Sequence, residues 1–318
     1  MPRILVLSNF GISDDNKTMM SRCNACATIG VEFHYEPGEY FDLVCVLNAV
    51  KKPQLLRAPS GGFIKIVQEP SVPKSVFHRF VNRHPKVFSL VVGHSNALSN
   101  QKDSGRFMER PAFLFPHVSA LDHFPPKNKL VSIIASSLTT LDGHKRRNAL
   151  VRQLVGHSPE LSAHAFGWGR QNLIKKEDAL DDYMYSFAIE NSSIGSYVTE
   201  KFSDCVLRGT VPIYFGAPNL SELLPEGSFI QLEKLTLEAA LEVLGGLSHD
   251  DYLSRLPALR EAQQLILSDW KLGCFLTSRL PQSSDLNSRW RLLLPPMGEV
   301  LKWLGANVMK MVQNKPPM

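Results

Sequence analysis

The sequence predicts an α/β protein of two Rossmann-like units, on three observations. Short apolar, β-branched runs bounded by Gly, Pro, Asn or Ser alternate with helical patterns, as strands buried on both faces of a parallel sheet do. The pattern breaks at Phe124-Pro125-Pro126-Lys127-Asn128-Lys129, where paired prolines and charges precede a fresh strand. A length of 318 residues, 44% hydrophobic and 20% charged, supplies two cores at roughly 150 residues per domain.

The strand candidates before the break are Ile4 to Leu7, Leu43 to Leu47, Ile64 to Val67 and Phe88 to Val92. After it come Leu130 to Ala135, Ala163 to Gly167, Ser186 to Ile189 and Val211 to Phe215. A helix is expected from about Tyr197 to Arg208, stopped by Gly209. Its buried face is Val198, Phe202, Cys205 and Val206 at i, i+4, i+7 and i+8, which leaves Tyr197, Glu200, Lys201, Asp204 and Arg208 on the other side. His249 to Leu280 has a helical pattern, and Pro281 to Ser288 reads as a linker. Val300 to Val312 is amphipathic and reads as a terminal helix docking on the body, with a peripheral membrane contact as the alternative. The expected domains are therefore 1–125, 126–280, and a tail at 281–318.

Several function classes drop out. The excess of 35 Lys+Arg over 30 Asp+Glu steers an anionic ligand but is thin for a protein that coats nucleic acid, so no nucleic-acid partner is expected. Five scattered cysteines read as reduced thiols, and Cys23-x-x-Cys26 is a single half-site that, with isolated His34, makes no zinc cage. The apolar start Arg3 to Phe10 runs at once into polar residues, which fits neither signal peptide nor anchor, and the expected compartment is the cytoplasm, peripheral to a membrane at most. There is no GxxxxGK-Ser/Thr phosphate loop and no GxSxG elbow.

Tyr185 to Ile230 carries the chemical signal. A buried strand delivers Glu190, Asn191 and Ser192 to the sheet edge where parallel sheets bind ligands. The helix that follows puts free N–H groups, a positive dipole end and Lys201 in its first turn, a combination suited to phosphate. Glu200 beside it is a candidate acceptor for ribose hydroxyls, with a solvated helix face as the plain alternative.

This segment resembles the α1,3-fucosyltransferase family (glycosyltransferase family 10), in its bacterial type. It supplies Glu190-Asn191-Ser192, Tyr197-Val198-Thr199-Glu200-Lys201, Gly209-Thr210-Val211-Pro212-Ile213-Tyr214, Gly216-Ala217-Pro218 and Ser228-Phe229-Ile230 in the family's order and spacing. The likeness is close over Tyr185 to Ile230, looser back to Lys129 and weak in the first half. It implies a GT-B fold of two Rossmann-like domains facing each other across a cleft, acceptor in 1–125 and GDP-sugar in 126–280. It implies that Lys201 holds the diphosphate, Glu200 and Tyr197 the nucleoside, and Asn191 the sugar-phosphate region. Arg147, in Arg147-Asn148-Ala149 after the strand at 129–135, matches a phosphate-binding position of the family; taken alone it is one member of the basic patch His144 to Arg147. Ser136-Ser137 departs from the family's Ser-Asn. The family's catalytic base is matched by Glu69, at the end of Ile64-Lys65-Ile66-Val67-Gln68-Glu69.

The implied reaction is an inverting transfer of L-fucose from GDP-fucose to a glycan hydroxyl, in α1,3/4-type linkage. Arg147, Lys201 and the helix N-terminus suffice to neutralise a leaving diphosphate, so a divalent metal is optional and no cofactor is required. The charge that develops on the sugar is eased by Glu69 and by Glu190. The sequence has no Asp-x-Asp metal motif, and its acidic pairs, Asp14-Asp15, Asp181-Asp182 and Asp250-Asp251, read as caps and solvated turns. His94 and His117 are expected in loop or capping roles. The rival expectations are a family member using another GDP-sugar and a non-catalytic sugar-nucleotide or glycan-binding protein.

Overall fold

The structure is a computed structural model that describes residues 1–8, 12–14, 17, 28–50, 52–59, 61–69, 87–95, 106–111, 115–158, 161, 165–167, 175–281 and 288–293. The chain divides into two compact units, Met1–Ala112 with Lys271–Met318, and Phe113–Trp270. The division therefore falls before the diproline, not within it. The reason is visible in the links of Leu121 and Phe124 to the rest of the second unit: Leu121 N–H donates to Leu207 O at 3.0 Å, and the Arg260 guanidinium lies 3.7 Å from the Phe124 ring centroid.

The first unit holds β1 (Arg3–Ser8), β2 (Glu32–His34), β3 (Leu43–Leu47), β4 (Gln54–Pro59), β5 (Phe63–Val67), β6 (Leu90–Gly93) and β7 (Phe107–Glu109). Six of these form a parallel sheet in the order β2-β1-β3-β5-β6-β7. Every residue of β3 and β5 is buried, as expected of apolar runs covered on both faces. The sequence pattern misses β2 and β7, which are too short to show a period. It also misses β4, which leaves the sheet and pairs antiparallel with β13 (Ser288–Leu293) from the far end of the chain. A strand thus follows the expected linker, and the amphipathic stretch 300–312 lies outside the described residues.

The second unit is a five-stranded parallel sheet of β8 (Lys129–Ile134), β9 (Ala165–Phe166), β10 (Tyr183–Ile189), β11 (Val211–Phe215) and β12 (Ile230–Gln231), in the order β12-β11-β10-β8-β9. Its described helices are α1 (Asp142–His157), α2 (Glu200–Leu207), α3 (Leu237–Gly245) and α4 (His249–Ser268). The expected helix from 249 to 280 is two: α4 ends at Ser268, and α5 (Leu272–Ser278) belongs to the first unit. Because β8 pairs with β9 on one side and β10 on the other, the winding reverses between β8 and β10. In sheets of this topology that reversal opens the ligand crevice beyond the carboxyl ends of the two strands.

Helix α2 also differs from expectation. It starts at Glu200, because Ser196 sits at φ 61°, with its N–H on Asn219 Oδ1 at 2.7 Å, and Thr199 stays extended as the N-cap. No solvated face results, since Phe202 to Leu207 are all buried. Asp204 takes Lys176 Nζ and the His117 N–H, and Arg208 pairs with Asp181. Phe202 anchors the helix, fully buried with its ring edge-to-face with Tyr214 at 5.3 Å and Phe229 at 5.9 Å. Phe202→Ala is expected to cost about 3–5 kcal/mol, read as a lower denaturant midpoint at unchanged slope.

One member of each of two acidic pairs is engaged within the fold, while Asp182 and Asp250 stay exposed. Asp181 holds Arg208, and Asp251 accepts from Arg255 Nε and the Tyr185 hydroxyl, both at 2.7 Å, tying α4 to β10.

Candidate functional site

The winding reversal of the second sheet gathers five of the seven expected site residues. Strand β10 ends at Ile189 and presents Glu190 and Asn191; β8 ends just before Ser136; α1 brings Arg147 and α2 brings Glu200 and Lys201. Arg147 is 3% exposed and its Nη2 donates to Ser136 Oγ at 2.7 Å, so it is not part of a solvated basic patch. Ser136 thus does in this chain the work of fixing the guanidinium. Burial lowers the Arg147 pKa, while the charges of Glu190 and Glu200 draw it back up. Arg147 Nε and Asn191 Oδ1 are both buried and have no hydrogen-bond partner among the described residues, and such orphaned polar atoms are rare away from functional sites.

Glu190 is the hub. Its side chain is completely buried, yet it accepts from the Thr199 N–H at 2.7 Å, Thr199 Oγ1 at 2.8 Å and Lys201 Nζ at 3.2 Å. Burial pushes its carboxyl up and Lys201 pulls against that shift. For Lys201, burial disfavours the ammonium, but Glu190 and Glu200 together outweigh it and hold the charge. Glu200 is kept ionised in spite of burial by Lys201, Lys176 and His117. Both oxygens of Glu190 are engaged inside the protein, which makes it a support for the cation.

Two glycines make this packing possible. A Cβ at Gly143 would overlap the Asn191 carbonyl, and one at Gly216 would overlap the Tyr214 hydroxyl and lie 2.7 Å from the Glu190 Cγ. Next to Gly143, His144 Nε2 lies 3.4 Å from Asn191 Nδ2, and its Nδ1 lies 3.2 Å from Thr140 Oγ1. Burial and the neighbouring Arg147 and Lys201 lower the His144 pKa, so the ring is neutral. Sequence reasoning placed His144 in a surface patch; its i, i+3 relation to Arg147 was the available signal. Tyr197 is 5% exposed and its carbonyl accepts from the Tyr214 hydroxyl at 3.1 Å, so its backbone is fixed while its ring stays within the fold.

Glu69 lies in the first unit, just past the carboxyl end of β5. Its N–H donates to Asn48 Oδ1 at 3.2 Å, as does that of Gln68 at 2.8 Å, and its carbonyl accepts from His94 Nε2 at 2.8 Å. Asn48 follows β3 in the left-handed region, at φ 56°, which Asn tolerates better than most residues, and the buried Lys65 Nζ donates to its carbonyl. Burial lowers the His94 pKa, which leaves the ring neutral and its Nε2–H donating. Asn48 and His94 therefore clamp the Glu69 backbone at the sheet edge, a role the sequence did not reveal.

Residues 124–254 match the family described as glycosyltransferase family 10 (fucosyltransferase), C-terminal part. An α-(1,4)-fucosyltransferase of Arabidopsis thaliana is 45% identical over 56 residues, which is 18% of this chain and 14% of the relative. An α-(1,3)-fucosyltransferase of Helicobacter pylori is 33% identical over 61 residues, 19% and 13% of the two chains. GDP-fucose protein O-fucosyltransferase 3 of Xenopus laevis is 44% identical over 46 residues, 14% and 10%. The chain thus spans only about a seventh or less of the length of these relatives. The crystal structure of an α1,3-fucosyltransferase with GDP shares the fold over 89% of this chain and 92% of its own, at a TM-score of 0.52 and 17% identity. Two units, each on its own parallel sheet, make this an α/β protein of the GT-B class. No helix among the described residues is long and apolar enough to cross a membrane.

Proposed function

Because residues 124–254 match the glycosyltransferase family 10 (fucosyltransferase) C-terminal model, we propose that this chain is a GDP-fucose-dependent fucosyltransferase that inverts the anomeric centre. The observation that carries the proposal is the buried Glu190–Lys201 pair beside Arg147 and Asn191, at the reversal of a doubly wound sheet. Two cations anchored within the fold before any ligand arrives place positive charge where a leaving diphosphate develops negative charge, which is how such sites lower barriers.

The roles divide by unit. The second holds the nucleotide: Lys201 and Arg147 on the diphosphate, Asn191 on the sugar-phosphate region and Glu200 on the nucleoside, while Tyr197, with its ring within the fold, fixes the backbone that leads into α2. Glu190 keeps Lys201 in place. In the first unit, Glu69 takes the proton of an acceptor hydroxyl as its oxygen bonds to the anomeric carbon; the bond from that carbon to the diphosphate breaks, and GDP leaves with the electron pair. Attack opposite the leaving group turns a β-linked donor into an α-linked product, and the α1,3/4 linkage to a glycan is the expected one. Arg147 and Lys201 supply the positive charge the leaving group needs, so the proposal requires no metal. Free, buried Cys45 and Cys205 support a reducing compartment, the cytoplasm.

Calorimetry with GDP, followed by GDP release from a panel of GDP-sugars, tests the donor half. Binding of GDP with turnover of GDP-fucose above the other donors is the expected result, and no affinity for GDP would end the proposal. For the acceptor, the matched relatives are named both for an α-(1,4) linkage and for protein O-fucosylation. A panel of both kinds is needed, with transfer to a glycan hydroxyl expected.

A further inference from the structure

Lys201 Nζ carries three N–H groups and meets three acceptors: Thr199 Oγ1 at 2.9 Å, Glu190 Oε2 at 3.2 Å and Glu200 Oε1 at 3.3 Å. Its hydrogen-bonding capacity is full, so an anion that binds it must replace one partner. Glu190 is not replaceable, being fully buried and held by two donors of Thr199. Nor is Thr199, which caps α2. Glu200 is different: its side chain is 29% exposed, and Lys176 and His117 also stabilise its charge from a distance.

Resting on the nucleotide reading above, we propose that Glu200 makes the Lys201 site select a nucleoside diphosphate over a bare phosphate anion, by exchange. The carboxylate leaves Lys201 for the vicinal hydroxyls of a ribose as the diphosphate takes its place. An ionised carboxylate only accepts hydrogen bonds, and a vicinal diol offers two donors to it. Pyrophosphate offers none. It reaches Lys201 only by breaking the Glu200 pair and leaving that carboxylate unpaired beside a second negative charge. The nucleotide breaks the same pair but repays the carboxylate in hydrogen bonds.

Calorimetry of pyrophosphate and of GDP, on the full chain and on Glu200→Gln and Glu200→Ala at one ionic strength, tests the exchange. Both variants are expected to bind pyrophosphate several-fold more tightly than the wild type and GDP several-fold more weakly, with thermal melts confirming that they are folded. If the wild type binds GDP and neither variant gains pyrophosphate affinity, the exchange is overturned and the nucleotide reading stands. If the wild type binds no GDP, both fall together.

Discussion

Lys201→Met is expected to abolish measurable GDP binding and to destabilise the protein at the same time, for one physical reason. The lysine is the only cation hydrogen-bonded to Glu190 among the described residues, and that carboxylate is completely buried. Removing one member of a buried pair leaves an uncompensated charge, which costs about 3–5 kcal/mol. The lysine side chain is itself 27% exposed, which places the expected loss toward the lower end. The double variant Glu190→Gln/Lys201→Met separates the two effects. An amide keeps an oxygen for the Thr199 N–H and carries no charge, so most of the stability returns while GDP binding does not.

The single variant also acquires a pH dependence whose sign is fixed. Burial already pushes the Glu190 carboxyl above its ordinary value, with Lys201 opposing. Without the lysine, burial acts unopposed, and the folded protein binds a proton at Glu190 more readily than the unfolded chain. Stability then falls as pH rises from the ordinary carboxyl range towards the raised folded value, and recovers as pH drops. Denaturation midpoints at about pH 5 and about pH 8 should converge on the wild type at the lower value and part from it at the higher. A single variant as stable as the wild type at the higher pH would show that Lys201 does not hold the buried carboxylate.

How far the site was legible follows from the distances along the chain over which its contacts act. The strand at Val211–Phe215 and the stop at Gly209, with φ 70°, coincide with an apolar run and its punctuation, both local signals. The residue types at 190, 191, 200 and 201 suggested an anion site by their place at a strand end and in a first helical turn, and the resemblance of the neighbouring segment to the fucosyltransferases, not position alone, set that expectation above a solvated helix face. What they did there was not legible. Glu190 reads as a ligand carboxylate in sequence, and only folding brings Thr199 and Lys201 onto it and makes it a support. The burial of α2 from Phe202 onward was hidden for a related reason: Asp204 and Arg208 look solvated until Lys176 and Asp181 arrive from another segment. The pairing of β4 with β13 joins residues more than two hundred positions apart, and no periodicity encodes it.

Glu69→Gln is expected to lower turnover by about 10²- to 10⁴-fold, the range general base catalysis supplies, while GDP affinity stays at the wild-type value. The clamp makes this substitution clean. Asn48 Oδ1 and His94 Nε2 hold the N–H and carbonyl of residue 69, backbone atoms that Gln shares. The change therefore leaves the backbone contacts of residue 69 intact and removes the ability of its side chain to take a proton. Two further measurements separate a base from a turn residue. The acidic limb of the kcat/KM profile should disappear in the variant, since the group that must be ionised is gone. Asn48→Ala, which loosens the clamp and leaves the carboxylate in place, should reduce kcat by a smaller factor and keep that limb. Undiminished turnover in Glu69→Gln would strip Glu69 of the proton-accepting role. Loss of GDP binding along with turnover would mean that the substitution acts through folding and not through the proton.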